Sequence, residues 1–155
     1  MIDILSNSSD PRAARLSNFT RRSFIFRSIK CASLEGFLQS LKSHSVIEQK
    51  RICLLSGKEA KEAGQELNNY WDSAWVYWGE DAYCRYVIDF FLLISTAYNN
   101  AYEQDPTFKD DLLATGHNEL RHTIGKHDPR ETILTEAEYL LQMYRLRARA
   151  HEESR

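Results

Sequence analysis

Apolar residues between positions 34 and 41 recur at the spacing of one helix face, which predicts a short amphipathic helix. Ser33 precedes them and is a favourable N-cap residue. The polar side of this helix carries Glu35, Gln39 and Lys42. At about 100° per residue these three side chains project along one line, roughly 120° from the centre of the apolar face. The apolar positions are Leu34, Phe37, Leu38 and Leu41.

The longest periodic pattern runs from Asp81 to about Gln104 and predicts a central helix. Its apolar side chains alternate between spacings of four and three residues, as on one face of an α-helix. Pro106 is suited to the first position of the next helix, which Gly116 would close in a left-handed conformation. The apolar face consists of Tyr83, Val87, Phe90, Ile94, Ala97 and Ala101.

Shorter patterns predict the remaining elements of the first half. Met1–Leu5 and Ser23–Ile29 are rich in isoleucine and phenylalanine, which favours strands. Two more helices are predicted, one at Val46–Leu54 and one from a capping box at Ser56 towards Leu67.

The last part of the chain is predicted to be non-helical over residues 117–134 and then helical. Thr135 and Glu138 have capping-box spacing and would begin this final helix. The predicted fold class is therefore α+β and predominantly helical, as a single domain over residues 1–155. It has a small N-terminal strand element and about six helices.

The charged residues are unevenly distributed, although the net charge of the chain is only −2. Residues 1–34 contain six basic and two acidic side chains, a net charge of +4, so the remainder carries −6. No carboxylate occurs between Pro11 and Leu34, and Glu35 follows that gap directly. This distribution argues against a protein that coats nucleic acid and favours a local anion site. The cations are Arg12, Arg15, Arg21, Arg22, Arg27 and Lys30.

Cysteine usage and hydropathy indicate the compartment. The three cysteines form no CxxC motif, which is typical of reduced thiols in a cytosolic protein. The first residues lack the layout of a signal peptide, and Phe90–Ser95, the most apolar run, is far shorter than the roughly 20 residues that span a bilayer. We therefore expect a soluble cytoplasmic protein without a membrane partner. No pattern indicates its oligomeric state.

Two clusters each have a structural and a functional interpretation. The line of Glu35, Gln39 and Lys42 is either a solvated helix face or part of a site that acts on a phosphorylated ligand. The aromatic cluster is either core packing or a plate on which a base stacks. Its tryptophans are Trp71, Trp75 and Trp78.

The segment after Gly116 contains further polar candidates. Its three histidines recur every five residues, but no cysteine or carboxylate spacing supports a zinc site. Asp128 and Arg130 belong to a turn-like stretch, which is either an ordinary loop or part of an active site. The chain contains no GxxxxGK[ST], GxGxxG or GxSxG motif, so a P-loop, a dinucleotide fold and acyl transfer lack support. We therefore expect no metal and no organic cofactor.

Five blocks of the chain occur in the order and at the distances of one known family. They are Ile2–Ser6, Leu16–Phe19 with the motif SNF, Ser33–Lys42 with SxE…Q…K, Ser56–Gly64 with SGKEAKEAG, and Leu112–Thr115 with LLAT. The second and third blocks are fairly specific. The chain thereby resembles the NADAR (YbiA-like) family, which includes N-glycosidases acting on riboflavin-pathway intermediates and on ADP-ribosylated guanine.

The chain departs from that family at two motifs. The family's Trp-x-x-V-K-x-x-M has no clean counterpart, because Trp75 or Trp78 stands there with altered spacing. The terminal D-x-x-W-G is replaced by His127–Glu131, which keeps an acid and loses the tryptophan and glycine. This loss indicates a remodelled pocket on the side of the base.

The resemblance implies a hydrolase that cleaves the N-glycosidic bond of ADP-ribosyl-guanine or of a riboflavin-pathway ribosylamine. It implies Glu35 as the key carboxylate, Lys42 as its charge partner or as an imine-forming nucleophile, and Asp128 as a second acid. The residues implied in substrate binding are Asn18, Phe19, Arg21, Arg22, Gln39, Trp71, Trp75 and Trp78, with Arg27 as a further phosphate ligand.

Two other function classes remain open. A catalytically altered module would bind ADP-ribose or a nucleotide without hydrolysing it, because the terminal Trp-Gly is missing. A structural or interaction protein, such as an inhibitor with a helical surface, would need none of these residues. The expected partner of the first two classes is a small-molecule nucleotide or an ADP-ribosylated nucleic acid.

Overall fold

The computed structural model of the chain describes residues 1–67 and 73–155. Within these ranges it contains seven helices and six short strands, so the predicted predominantly helical α+β fold is confirmed. The one additional helix, α1, has only five residues, too few to show an apolar repeat. In chain order the elements are β1 (Ile2–Asp3), α1 (Pro11–Arg15), β2 (Arg21–Phe26), β3 (Ile29–Ser33), α2 (Leu34–Ser40), α3 (Val46–Cys53), α4 (Gly57–Gln65), β4 (Trp75–Trp78), β5 (Asp81–Cys84), α5 (Ile88–Gln104), α6 (Pro106–Ala114), β6 (Leu120–Arg121) and α7 (Glu136–Glu153).

The hairpin of β2 and β3 forms one wall of the core. Phe24 and Phe26 are buried, whereas the residues that alternate with them are exposed. Arg27 and Ser28 join the strands with φ angles of 47° and 70°, as in two-residue hairpin turns. The strand predicted at Ser23–Ile29 is therefore wrong beyond Phe26, because this turn contains neither the asparagine nor the glycine that usually signals one.

Helix α2 begins at the predicted cap, where the Ser33 Oγ accepts a hydrogen bond from the Gly36 amide at 2.9 Å. Every residue of α2 is buried, since α3, α4 and β3 all pack against it. A Cβ on Gly36 would lie 2.7 Å from the carbonyl oxygen of Leu55 and 2.8 Å from that of Ile52, so only glycine allows this approach. The polar line of α2 consequently lies inside the protein and is not a solvated face.

The central helix α5 begins at Ile88, so the predicted start at Asp81 is wrong. Asp81–Cys84 is instead strand β5, which pairs with Trp75–Trp78 in an antiparallel hairpin. Gly79 allows the tight connection, because its φ of 61° is unfavourable for other residues. Tyr83 and Val87, which belong to the apolar face predicted for the central helix, lie in or beside this hairpin. Its four-residue strands are too short to show the alternation of buried and exposed residues that indicates a strand.

The C-terminal part agrees more closely with the sequence. Thr135 and Glu138 form the predicted capping box of α7, and residues 117–134 are non-helical. Within that segment Leu120–Arg121 pairs in parallel with β1. The pairing holds the N-terminus of the chain against the segment that leads into α7.

A continuous set of buried apolar side chains joins the helices and hairpins. The cysteines are free thiols, with Cys31 and Cys53 buried and Cys84 half-buried. Among the helices of the described ranges, none combines the length and the apolar character that a membrane crossing requires.

Candidate functional site

A cavity of about 430 Å³ lies between the loops that follow β1 and α1, helices α2 and α4, and the segment before α7. This volume falls within the range of about 300–1,000 Å³ that is usual for small-molecule sites. Helix α2 contributes Glu35 and Gln39 to the wall, the turn that follows it contributes Lys42, and α4 contributes Lys61. The polar line that the sequence revealed therefore faces a cavity large enough for a nucleotide-sized ligand.

Glu35 and Gln39 form a buried hydrogen-bonded pair. The Gln39 Nε2 donates to the Glu35 Oε1 at 2.8 Å, and the two residues are only 6% and 9% exposed, respectively. Within the described ranges the Gln39 Oε1 has no hydrogen-bond partner. A Cβ on Gly64 of α4 would lie 1.8 Å from this oxygen, so α4 can contact α2 here only because residue 64 is glycine. The packing of the two helices thus fixes the position of the Glu35 carboxyl.

Burial changes the acidity of both Glu35 and Lys42. It raises the pKa of Glu35, while the Gln39 hydrogen bond and the charges of Lys61 and Lys42 act in the opposite direction. It lowers the pKa of Lys42 to about 8, against the opposing charge of Glu35. At pH 7 roughly a tenth of an amine with this pKa is neutral. The cavity therefore contains a carboxyl of increased basicity beside an amine of reduced basicity.

Asn18 and Phe19, both predicted to bind substrate, line the same cavity. The Asn18 carbonyl oxygen accepts a hydrogen bond from the Glu35 amide at 3.0 Å, which ties the SNF motif to the start of α2. The Asn18 Oδ1 accepts another from the Tyr98 hydroxyl at 2.8 Å. Because Tyr98 occupies the side-chain oxygen, the Nδ2 group is the donor that Asn18 can offer to a ligand.

The predicted phosphate-binding arginines do not line the cavity. Arg22 is 2% exposed, and its Nη2 donates to the Asp111 Oδ2 at 2.8 Å and to the Arg15 carbonyl oxygen at 2.6 Å. Its guanidinium also lies 4.3 Å from the centre of the Phe108 ring. Strand alternation in β2 directs Arg22 into the core and leaves Arg21 on the outer face. Arg22 thus joins β2 to α6.

Lysines take the place that the arginines were expected to occupy. Lys61 of α4 and Lys126 of the segment before α7 line the cavity together with Lys42. Burial and the charge of Glu35 have the largest effects on the pKa of Lys42. The charges of these two lysines have smaller effects, and both lower that pKa. The sequence reasoning missed both. Lys61 lies in the SGKEAKEAG block, whereas no local pattern distinguishes Lys126.

The predicted aromatic plate is not part of the cavity that the described residues form. Trp78 is in the core, where its ring stacks on Phe26 at 5.2 Å and meets the edge of Phe37 at the same distance. Trp75 is 44% exposed on the hairpin of β4 and β5. Trp71 lies outside the described residues. For Trp78 the structural interpretation is therefore the right one.

Asp128 also lies outside the cavity wall. Its carboxylate accepts hydrogen bonds from the Arg130 amide at 2.8 Å and from the Arg130 Nη2 at 3.0 Å, and the side-chain bond is the main cause of its lowered pKa. Glu131 and His122 of the same segment do line the cavity, although the sequence indicated His122 only as one of three histidines without support for zinc and Glu131 only as part of the turn-like stretch. In residues 1–67 and 73–155, no group of three or more His, Cys, Asp or Glu side chains is arranged to hold a metal ion.

Known proteins resemble this chain in sequence and in fold. The family described as bacteriophage protein GP30.3 matches residues 11–148. An uncharacterized 17.1 kDa protein from the Gp30–rIII intergenic region of enterobacteria phage T4 is 36% identical over 140 residues, which cover 90% of this chain and 91% of the phage protein. The NMR structure of the E. coli protein YbiA matches with a TM-score of 0.61 at 15% identity, over 99% of this chain and 89% of YbiA.

These matches confirm the resemblance noted from the five sequence blocks. The likeness to YbiA shows a common fold, and the phage relatives show the sequence family. The chain belongs to the bacteriophage protein GP30.3 family, a NADAR-like phage family.

Proposed function

We propose that the protein hydrolyses the N-glycosidic bond of a ribosylated or ADP-ribosylated base, with Glu35 as its key carboxylate. The observation that carries this proposal is the buried pair of Glu35 and Gln39 on the wall of the cavity, beside Lys42. The YbiA-like fold and the SNF and SxE…Q…K blocks support the same reaction class.

Cleavage of an N-glycosidic bond passes through an oxocarbenium-like state at the anomeric carbon. A carboxylate beside that carbon stabilises the positive charge or activates the attacking water. The raised pKa of Glu35 makes it a stronger base, and the Gln39 hydrogen bond orients it. The Asn18 Nδ2 is the proposed donor to a ribose hydroxyl, and Phe19 offers an apolar face to the sugar or base.

Lys42 has one of two proposed roles. As an ammonium it is a charge partner that favours the ionised form of Glu35. As a neutral amine it attacks the opened ribose and forms an imine, which requires a lowered pKa. The pKa of about 8 favours the second role. Trapping of a covalent adduct with borohydride, followed by mass spectrometry of the Lys42 peptide, distinguishes the two.

The proposed phosphate ligands are Lys61 and Lys126 rather than the arginines of the N-terminal third. Both lysines are exposed at the wall of the cavity, where an ammonium can reach a phosphate without leaving water completely. Arg22 is unsuited to this role, since a phosphate would have to displace its two carboxylate partners.

The proposed substrates are ADP-ribosyl-guanine and the riboflavin-pathway ribosylamine, as a free nucleotide or within nucleic acid. A cavity of about 430 Å³ holds a nucleotide but no duplex. A DNA-linked base would therefore have to leave the stack, which favours single strands or ends. The proposal places this reaction in the cytoplasm and requires no cofactor besides water.

A second candidate function is binding of ADP-ribose or a nucleotide without hydrolysis. It is favoured by one observation: the acid that replaces the family's D-x-x-W-G, Asp128, is engaged by Arg130 outside the cavity. This alternative predicts ligand affinity without product.

The test is incubation of the protein with guanine-ADP-ribosylated DNA and, separately, with the ribosylamine. Mass spectrometry follows released ADP-ribose or ribose phosphate, and Glu35→Gln is the control because it keeps the shape and the acceptor for Gln39. Release by the wild type that is lost in Glu35→Gln supports the hydrolase and identifies its substrate. An unchanged melting temperature with ADP-ribose and no release from either substrate would contradict both candidates.

A further inference from the structure

His122 occupies a fixed position on the wall of the cavity that Glu35 also lines. Its Nδ1 lies 2.9 Å from the Ile4 carbonyl oxygen. A carbonyl oxygen only accepts hydrogen bonds, so Nδ1 carries a proton. Ile4 is itself held by the pairing of β1 with β6, because its amide donates to the Arg121 carbonyl oxygen at 2.7 Å. The tautomer and the orientation of the imidazole are thus set by the backbone.

Two further contacts hold the ring. The centres of the His122 and Tyr139 rings lie 5.0 Å apart, and the buried Tyr139 is anchored by its hydroxyl, which donates to the Leu16 carbonyl oxygen at 2.6 Å. A Cβ on Gly125 would lie 2.7 Å from the His122 Cδ2, so only glycine at position 125 fits against this edge of the imidazole ring. The other ring nitrogen, Nε2, has no hydrogen-bond partner in residues 1–67 and 73–155.

The geometry points to His122 as the acid that protonates the leaving base, through Nε2. This inference rests on the proposed function, and it fills the role for which the sequence had indicated Asp128. A base that departs from the anomeric carbon takes the electron pair of the C–N bond and needs a proton on nitrogen. Because Nδ1 is hydrogen-bonded to the Ile4 carbonyl oxygen, Nε2 is the ring nitrogen that can donate to a ligand.

The proposed cleavage needs no reactant besides the substrate and water. The C–N bond breaks and its electron pair stays on the nitrogen, which takes the proton from Nε2 of the imidazolium. Water supplies a hydroxyl to the anomeric carbon, and its second proton passes to the Glu35 carboxylate and then to solvent. Solvent returns a proton to Nε2. Asp3 is a nearby counter-charge: its pKa is lowered first by the Thr123 hydroxyl and amide and then also by the charge of His122.

The test compares two leaving groups in one protein. The first substrate is an oligonucleotide with ADP-ribosylated guanine, and the second is the same oligonucleotide methylated at guanine N7. The methyl group gives the base a fixed positive charge, so that it leaves without an added proton. His122→Asn is the informative variant, because its Nδ2 still donates to Ile4 while no group remains at the place of Nε2. His127→Asn is the matched control, since His127 belongs to the same segment and its side chain is 83% exposed.

We expect His122→Asn to slow release of ADP-ribose from the unmethylated guanine by about 10²- to 10⁴-fold, the usual contribution of a general acid. Release of ADP-ribose from the N7-methylated guanine should change by less than about tenfold, and His127→Asn should match the wild type on both. Equal losses on both substrates, or no loss on either, would overturn the acid role of His122 while the hydrolase stands. A wild type that releases neither base overturns the proposed function and this inference with it.

Discussion

Two cationic regions of the molecule have opposite environments. The arginine cluster, formed by Arg15 and Arg22 with Asp105 and Asp111, joins α1 and β2 to α6. The lysine group, formed by Lys42, Lys61 and Lys126, surrounds the cavity. In the arginine cluster each guanidinium bonds a carboxylate directly, with atoms 2.6 to 3.3 Å apart. The three lysines share the cavity with Glu35 and Glu131, so they outnumber its carboxylates.

This difference shows that a cation is available to a ligand only if the fold leaves it without a sufficient counter-charge. Arg22 needs its carboxylates, because an unpaired buried charge is strongly unfavourable. Lys61 and Lys126 are exposed to water at the cavity, whereas Lys42 is buried there beside Glu35. The stretch between Pro11 and Leu34, which has six basic residues and no carboxylate, therefore supplies the stabilising arginine cluster and not the anion site.

The largest expected effect concerns Arg22. Arg22→Gln should lower the free energy of unfolding by about 3–5 kcal/mol, since it removes the buried cation that Asp105 and Asp111 share and leaves Asp111 with the half-exposed Arg15 alone. Guanidinium unfolding measures this loss. The exposed neighbour variant Arg21→Gln is the control and should stay within about 0.5 kcal/mol of the wild type. A higher KM in Arg22→Gln at unchanged stability would show that Arg22 binds substrate after all.

The pH dependence of turnover is the next test and concerns Lys42. If its neutral amine reacts, the rate should rise through an apparent pKa near 8 and fall by about tenfold per unit below it. Stopped assays between pH 6 and 9 measure the profile, and Lys42→Met should abolish the rise together with the activity. A rate that falls as the pH passes 8 in the wild type and also in His122→Asn would assign Lys42 to the charge-partner role.

Smaller effects are expected from the exposed lysines. Lys61→Ala and Lys126→Ala should each raise the KM for a phosphate-bearing substrate by about two- to fivefold and leave kcat nearly unchanged, because exposed charge pairs contribute up to about 1 kcal/mol. Lys58→Ala is the matched control on α4, where Lys58 is 85% exposed and pairs with Glu62. Equal KM values in all three variants would remove the lysines from the binding site.

The smallest effect is expected at Asp128. Asp128→Asn should change turnover by less than about twofold, within the range of an exposed substitution that touches no reacting group. Its control is Arg130→Gln, which breaks the same surface pair from the other side. A loss of 10²-fold or more in Asp128→Asn alone would identify Asp128 as an acid in turnover.

Local signals were sufficient for much of the fold. Ser33 and Thr135 cap helices through contacts three residues away, and the apolar repeat of α2 lies within a single helix. The hairpin of β4 and β5 was missed because its strands are short and its sequence continues the spacing of α5. The turn at Arg27 and Ser28 has no sequence signal.

The site was predictable where it lies on one helix and unpredictable where it depends on distant segments. Glu35 and Gln39 share a line on α2 and Lys42 follows in the turn at its end, so their convergence follows from local geometry alone. Lys126 and His122 reach the same cavity only through the pairing of β1 with β6. The burial of Arg22 depends likewise on α6, which lies more than 80 residues further along the chain.

The most direct test of the central claim measures ADP-ribose affinity and single-turnover base release side by side in the wild type and in Glu35→Gln. The account predicts that affinity changes by less than about threefold, whereas release slows by about 10²- to 10⁴-fold. The opposite pattern, with release unchanged in a folded Glu35→Gln protein or with affinity reduced as much as release, would contradict a role for Glu35 in breaking the glycosidic bond.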